Sequence, residues 1–224
     1  GAVEEQAGTT DLEKLGGMKK TLPLTFVCMV VAALAISGVP PFNGFASKWM
    51  LYSVSILSPQ NFPLFIALGV MAMFISLVSL ASFVKYIGSA FLGPLAAPKE
   101  NSLEKGEVPA TMWIPETVLA AICILFGLLP VLPIWWVYQG IASAIPAENV
   151  VGFTALLGNA PGLSLMLGNG QPAGVWFPLV IFGVIVVFML FGWGLSRAGG
   201  AERRKVAEWH CGTLMTNEQA RYRA

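Results

Sequence analysis

The sequence predicts an all-α membrane protein with about five transmembrane helices, one of them broken by Pro-Pro. Three observations carry that reading. First, hydrophobic residues make up 56% of the 224 and charged residues only 11%, against roughly 25% charged in an ordinary soluble domain. Mean hydropathy is +0.72, and a water-soluble fold of this length has too little interior to hide so much apolar surface. Second, the charges are clustered. No Asp, Glu, Lys, Arg or His lies between Thr21 and Ser47, Trp49 and Val84, Thr117 and Ala147, or Asn149 and Ser196. A spanning helix needs about 20 apolar residues, and these tracts meet that length. Third, the stretch Gly38-Val-Pro-Pro-Phe-Asn-Gly-Phe-Ala-Ser-Lys48 places two prolines, two glycines and a lysine inside an apolar region.

Taken in order, residues 1–21 form an extramembrane loop and helix lead-in. They carry Asp11, Glu13, Lys14, Lys19 and Lys20; Gly16-Gly17 marks a turn and Pro23 suits a helix start. Residues 22–138 form a four-helix membrane region, with spans near 22–39, 40–57, 64–92 and 114–138. The third is long enough to tilt or overshoot the bilayer. Residues 58–63 are a short connection, and 93–111 a polar loop with Lys99, Glu100, Glu104, Lys105 and Glu107. The fourth span has Pro130 and Pro133 near its end and Trp135, Trp136 and Tyr138 as an interfacial belt. Residues 139–174 read as an extramembrane or interfacial loop, 175–196 as the final transmembrane helix, and 197–224 as a cytoplasmic tail with Arg197, Arg203, Arg204 and Lys205. With five spans the ends lie on opposite sides. The excess of basic residues in the tail and the 93–111 loop puts both in the cytoplasm, and residues 1–21 outside.

The formal net charge of +1 points to no nucleic-acid partner and no polybasic lipid anchor. Cys28, Cys123 and Cys211 are odd in number and scattered, unlike a disulfide framework. The opening at Gly1 carries no signal-peptide layout and reads as a processed chain, a split gene product or a fragment.

Lys48 is the first candidate site residue. On a helix beginning near Pro41 it lies about 10 Å along the axis, near the middle of an approximately 30 Å core. An ionisable residue at that depth costs on the order of 2.5–3.5 kcal/mol and marks ion or proton pathways. Low dielectric disfavours a charged ammonium, so such an amine can release and regain a proton. Gly38, Pro40, Pro41 and Gly44 break the helix. Asn43 and Ser47 can hold water or pair with the freed backbone, which a bilayer tolerates only in a buried or wetted place. The competing reading is a lysine that snorkels to an interface.

Lys85, toward the end of the third span, is a second candidate, with the same competitor. Ser76, Ser79 and Ser82 share one helix face, as a hydrated stripe or, preferably, a packing seam. Glu116 reads as an N-terminal helix charge rather than a relay member. His210 and Cys211 cannot fill a four-ligand metal site. No Gly-rich phosphate loop and no nucleophile–base pair is present, so no cofactor and no catalytic centre are expected.

The segments TTDLEKLGGMKKTLP and SGVPPFNGFASKWM, with the apolar span between them, resemble the antiporter-like membrane subunits. That family is shared by respiratory complex I, Mrp-type sodium/proton antiporters and membrane-bound nickel–iron hydrogenases of the formate hydrogenlyase type. The resemblance runs from Gly1 to about Pro130 and implies the later helices of a larger unit. It places Lys48 on the family's lysine in its second broken helix, the one that completes a proton path. Lys85 falls on the next helix, where some members carry a basic residue. The tail AEWHCGTLMTNEQARYRA resembles the closing elements of hydrogenase-linked members. The family's first-half glutamate–lysine pair and central lysine or histidine have no counterpart in this chain.

The function expected is therefore that of a proton-translocating subunit, C-terminal part, of a redox-driven complex, with Lys48 as relay residue. The alternatives are a structural membrane anchor for a peripheral oxidoreductase and a sodium/proton antiporter subunit. Expected partners are other membrane subunits, including the missing N-terminal half, a peripheral redox arm and the lipid bilayer. The expected location is the cell inner membrane.

Overall fold

A computed structural model describes residues 1–12, 15–57, 63–92, 106–144, 163–166 and 172–200. Expectations placed on Glu13, Lys14, Lys99, Glu100, Glu104, Lys105, Arg203, Arg204, Lys205, His210 and Cys211 lie outside the described residues. The protein is an all-α membrane protein that carries, among the described residues, one antiparallel pair of short strands. Its elements are α1 (Ala2–Ala7), α2 (Pro23–Ser37), α3 (Asn43–Leu57), α4 (Pro63–Ile87) continuing into a π-helical turn (Gly88–Leu92), α5 (Ala110–Leu128), α6 (Val131–Ala144), β1 (Leu163–Met166), β2 (Pro172–Trp176) and α7 (Pro178–Ala198).

Among the described residues, three helices are long and apolar enough to cross a bilayer: Pro63–Leu92, Ala110–Leu128 and Pro178–Ala198. Almost none of their surface is covered within the chain, and Phe74, Leu77, Phe188 and Met189 are among their most exposed side chains. In water such surface would collapse; against lipid tails it needs no cover. Helices α2 and α3 have 15 residues each, about 22 Å long and so short of a 30 Å core.

Four boundaries differ from the sequence reading: the final helix starts at Pro178 rather than 175, behind strand β2, and three more lie in the first four spans. Helix α3 starts at Asn43, so Pro40 and Pro41 sit in the turn that precedes it, joined by a cis peptide bond. The expected fourth span is two helices. Pro130 has no N–H to continue α5, whose last bond is Leu129 N donating to Leu125 O at 2.8 Å. A new helix then starts, with Pro133 in its first turn, where a missing donor costs nothing. Helix α5 also begins four residues early. Pro109 supplies the N-terminal signal, Met112 N donating to its carbonyl at 2.8 Å, and Pro115 lies inside the helix.

Contacts divide the chain into two compact units. One comprises Gly1–Met29, Val84–Thr117 and Gly183–Ala224. Its core gathers Leu15, Met18, Leu22, Ala90, Phe91 and Val108, with Leu22 and Phe91 almost fully enclosed. Phe91 meets Phe26 at 5.5 Å and Tyr86 edge-on at 6.4 Å between ring centroids. The lead-in is tied to the π-helical turn by Met18 N to Ala90 O (3.3 Å) and Lys19 N to Phe91 O (3.1 Å). The first turn of α2 is capped from a distant part of the sequence. The Glu107 carboxylate accepts from Leu24 N (2.9 Å) and Thr25 Oγ1 (2.7 Å), satisfying an orphan amide at the positive end of the helix dipole.

The other unit comprises Val30–Phe83 and Val118–Phe182. Two glycines set its close approaches. A methyl on Gly44 would collide with the Ala35 carbonyl, and one on Gly127 with the Pro41 carbonyl and the Phe42 backbone. Small residues at such points let helix backbones touch where no hydrophobic drive separates protein from lipid. Strands β1 and β2 pair antiparallel, Leu163 opposite Trp176, with a register shift between Leu165 and Met166. Phe126 and Trp136 meet edge-on at 5.9 Å between α5 and α6.

Candidate functional site: the lysine at the α2–α3 break

Gly38 ends α2 with φ +78°, a left-handed conformation that reverses the chain at low cost only for glycine. Its N–H donates back to Ala35 O (3.1 Å), and Val39 N donates to Leu34 O (3.0 Å). Two of the orphan carbonyls at the end of α2 are thereby satisfied. The Ile36 carbonyl takes its donor from the next helix. Lys48 Nζ donates to Ile36 O at 2.8 Å, placing the ammonium on the negative end of the α2 dipole. The start of α3 is fixed by Asn43, whose Oδ1 accepts from Gly44 N at 2.9 Å, and Ser47 Oγ donates to Gly44 O at 3.2 Å.

The break thus assembles Gly38, Pro40, Pro41, Asn43, Gly44, Ser47 and Lys48 within one unit. Asn43 and Ser47 pair with the local backbone, one of the two tasks foreseen for them. Because α3 starts two residues later than expected, Lys48 lies about 7.5 Å along the helix rather than 10 Å. It is half-buried and lines a cavity of about 420 Å³.

Sequence reasoning missed the rest of this cavity, which Ser37, Trp49, Tyr52 and Met73 also line. Tyr52 follows Lys48 by four residues and so shares its helix face; that spacing was the available signal. Tyr52 Oη lies 2.6 Å from Ser76 Oγ and 3.1 Å from Ala72 O on α4. Of the serine stripe, Ser76 reaches another helix, whereas Ser79 Oγ donates to Ile75 O (2.9 Å) and Ser82 Oγ to Val78 O (3.0 Å) within α4. Of the three serines, Ser76 is the one hydrogen-bonded to a neighbouring helix, so a seam along the whole stripe is not formed.

Lys85 is exposed in the last turn of α4 and belongs to the other unit. Glu116 is not in the first turn of its helix, because α5 begins at Ala110; its Oε2 is buried without a hydrogen-bond partner. Its neighbour Thr117 donates to Trp113 O (2.8 Å) and lies 3.8 Å from Cys28 Sγ.

Residues 1–76, which contain the whole break and both ends of the Tyr52–Ser76 contact, match the family described as "NADH:quinone oxidoreductase/Mrp antiporter, TM". Among curated proteins, the Na(+)/H(+) antiporter subunit A1 of Staphylococcus saprophyticus is 33% identical over 162 residues, covering 69% of this chain and 19% of its own. Subunit A1 of Staphylococcus aureus strain Newman is 36% identical over 135 residues, covering 58% and 17%. The chain spans about a fifth of the length of the curated relatives it matches. With the Pro-Pro break, the lysine beyond it and these similarities in place, the chain belongs to the antiporter-like membrane subunits of the NADH:quinone oxidoreductase/Mrp antiporter family.

Proposed function

We propose that this chain is part of a cation/proton antiporter subunit of the Mrp type, and that Lys48 is its proton-relay residue. The observation that supports this best is the placement of Lys48. Its amine sits on the terminal carbonyl of α2, across the Pro-Pro turn that separates α2 from α3, beside a cavity, in the stretch that matches the family. A donor-only ammonium held there by one bond has two further N–H groups for water. In this reading the amine takes up and gives off a proton as the cation moves.

The redox-driven reading has its support in the other half of the family description, NADH:quinone oxidoreductase. The hydrogenase-linked variant leans on the tail beyond Gly200, outside the described residues. Cation exchange is preferred because both relatives named above are sodium/proton antiporter subunits. In either case the chain works beside other membrane subunits; a peripheral redox arm belongs to the second reading alone. Lys85, in the last turn of α4, is assigned a secondary relay role.

The test is transport in inverted membrane vesicles holding the complete native assembly. Sodium-driven proton movement, read by a pH-sensitive dye, should be abolished in Lys48→Ala at unchanged membrane abundance. Full transport by that variant removes the relay. Proton movement that follows electron donors and ignores sodium replaces exchange with the redox-driven reading.

A further inference from the structure

We infer that the cleft beside Lys48 is a binding site for a long-chain carboxylate, and that an occupant withholds the amine from transport; the second half rests on the relay role proposed for Lys48. The cleft lies within one compact unit. Its volume is about 420 Å³ and its walls are almost wholly apolar, with Phe45, Trp49, Ile56 and Met73 among them. Most polar groups along it are already engaged or turned away. Tyr52 Oη and Ser76 Oγ pair with each other at 2.6 Å, and the Ser37 oxygen is closed to solvent. The Lys48 amine differs. Its bond to Ile36 O, at 2.8 Å, uses one of three N–H groups.

An apolar cleft with a charged donor in its wall has the make-up of a ligand pocket, in which the walls supply contact and the charge fixes orientation. Such walls hold water poorly, because a bound water needs several polar partners. An ammonium repels cations, so the complementary head is an anion. A carboxylate suits both features. Its two oxygens accept from the remaining N–H groups of Lys48, and its tail lies on the aromatic and aliphatic walls. Volume sets the size. At about 30 Å³ for each water-sized group, the cleft takes about 14 non-hydrogen atoms, as many as dodecanoate has. A phospholipid, with two chains and a headgroup, is too large. In a bilayer the tail gains little by exchanging lipid for protein, since both are apolar. The preference for the cleft therefore comes from the carboxylate. An amine paired in this way is held from taking up and giving off protons.

The experiment uses the native assembly in inverted vesicles and two probes with a diazirine in the tail, dodecanoate and dodecanol, which share the chain and differ in the head. After irradiation, free probe is stripped with albumin and labelled residues are mapped by mass spectrometry. The carboxylate should label the cleft about tenfold more than the alcohol, the effect of one charge-assisted hydrogen bond, and unlabelled dodecanoate should compete. Lys48→Ala should bring the two probes level, and Lys48→Arg should keep the preference. An unlabelled cleft, equal labelling by both probes in the wild type, or a preference that survives Lys48→Ala overturns the inference. So does cleft labelling by a diazirine-bearing phosphatidylglycerol that dodecanoate fails to displace. Should Lys48→Ala not reach the membrane, Lys48→Gln decides on the same criteria. Transport is then read on the stripped vesicles and should fall in proportion to the fraction of clefts labelled. Preferential labelling with transport untouched keeps the site but overturns the blocking. A Lys48→Ala variant that transports normally removes the relay and leaves the labelling result to stand or fall by itself.

Discussion

Gly38→Ala puts a methyl group into the stem of Lys48. An ideal Cβ on Gly38 lies 2.8 Å from Lys48 Cδ and 3.6 Å from Nζ. Carbon pairs rest at about 3.5–4.0 Å, so the stem must retreat by roughly 1 Å. The stem is flexible and can swing aside, but the amine it carries is held 2.8 Å from Ile36 O, and such a retreat takes that contact beyond hydrogen-bonding range. Losing a charged donor at a half-exposed site costs about 1.5 kcal/mol. Alanine at φ +78° adds about 1–2 kcal/mol of backbone strain. Together the substitution costs about 3 kcal/mol. Part of it appears as lower stability, and the part that displaces the amine slows transport about tenfold. Two measurements in inverted vesicles separate them: membrane abundance by immunoblot, and dye-reported proton movement per unit of protein. Lys48→Ala serves as the reference for a missing amine. Wild-type abundance together with a wild-type specific rate in Gly38→Ala would refute the argument that the Gly38 turn holds Lys48 on the α2 terminus.

Other expectations follow from the packing. Gly127→Ala drives a methyl against the Pro41 carbonyl and the Phe42 backbone, neither of which can move as a side chain does; it should destabilise by about 3 kcal/mol, read as a lower melting temperature in detergent. Glu107→Gln removes the charge from the cap on Leu24 N and Thr25 Oγ1 and should cost about 1 kcal/mol, seen as faster hydrogen exchange confined to the first turn of α2. Phe91→Ala empties the most enclosed aromatic position of its unit and should cost about 3 kcal/mol, measured as a drop in melting temperature with transport per folded molecule retained. Lys48→Ala, the test of the relay itself, should abolish transport without loss of abundance.

The sequence by itself determined the class and most of the spans. Charge-free tracts dictate membrane helices because a bilayer offers unpaired backbone groups nothing, and that argument is local. The Pro-Pro break and Lys48 were legible for the same reason, since proline acts on its own neighbourhood. The exact helix ends were less so. The fourth span was read from 114 with Pro130 near its end, yet the helix starts behind Pro109 and stops at Pro130. Each proline suits several positions, and neighbouring backbone bonds choose among them. What only the tertiary structure decided is which distant groups meet. Glu107 caps α2 from some 80 positions away, Lys48 finds the Ile36 carbonyl across the turn, and Tyr52 selects Ser76 from three equivalent serines. Periodicity places a residue on a face of its own helix. It carries no information about what the facing helix presents there, because that depends on how closely two backbones approach, and here glycines 44 and 127 set the approach.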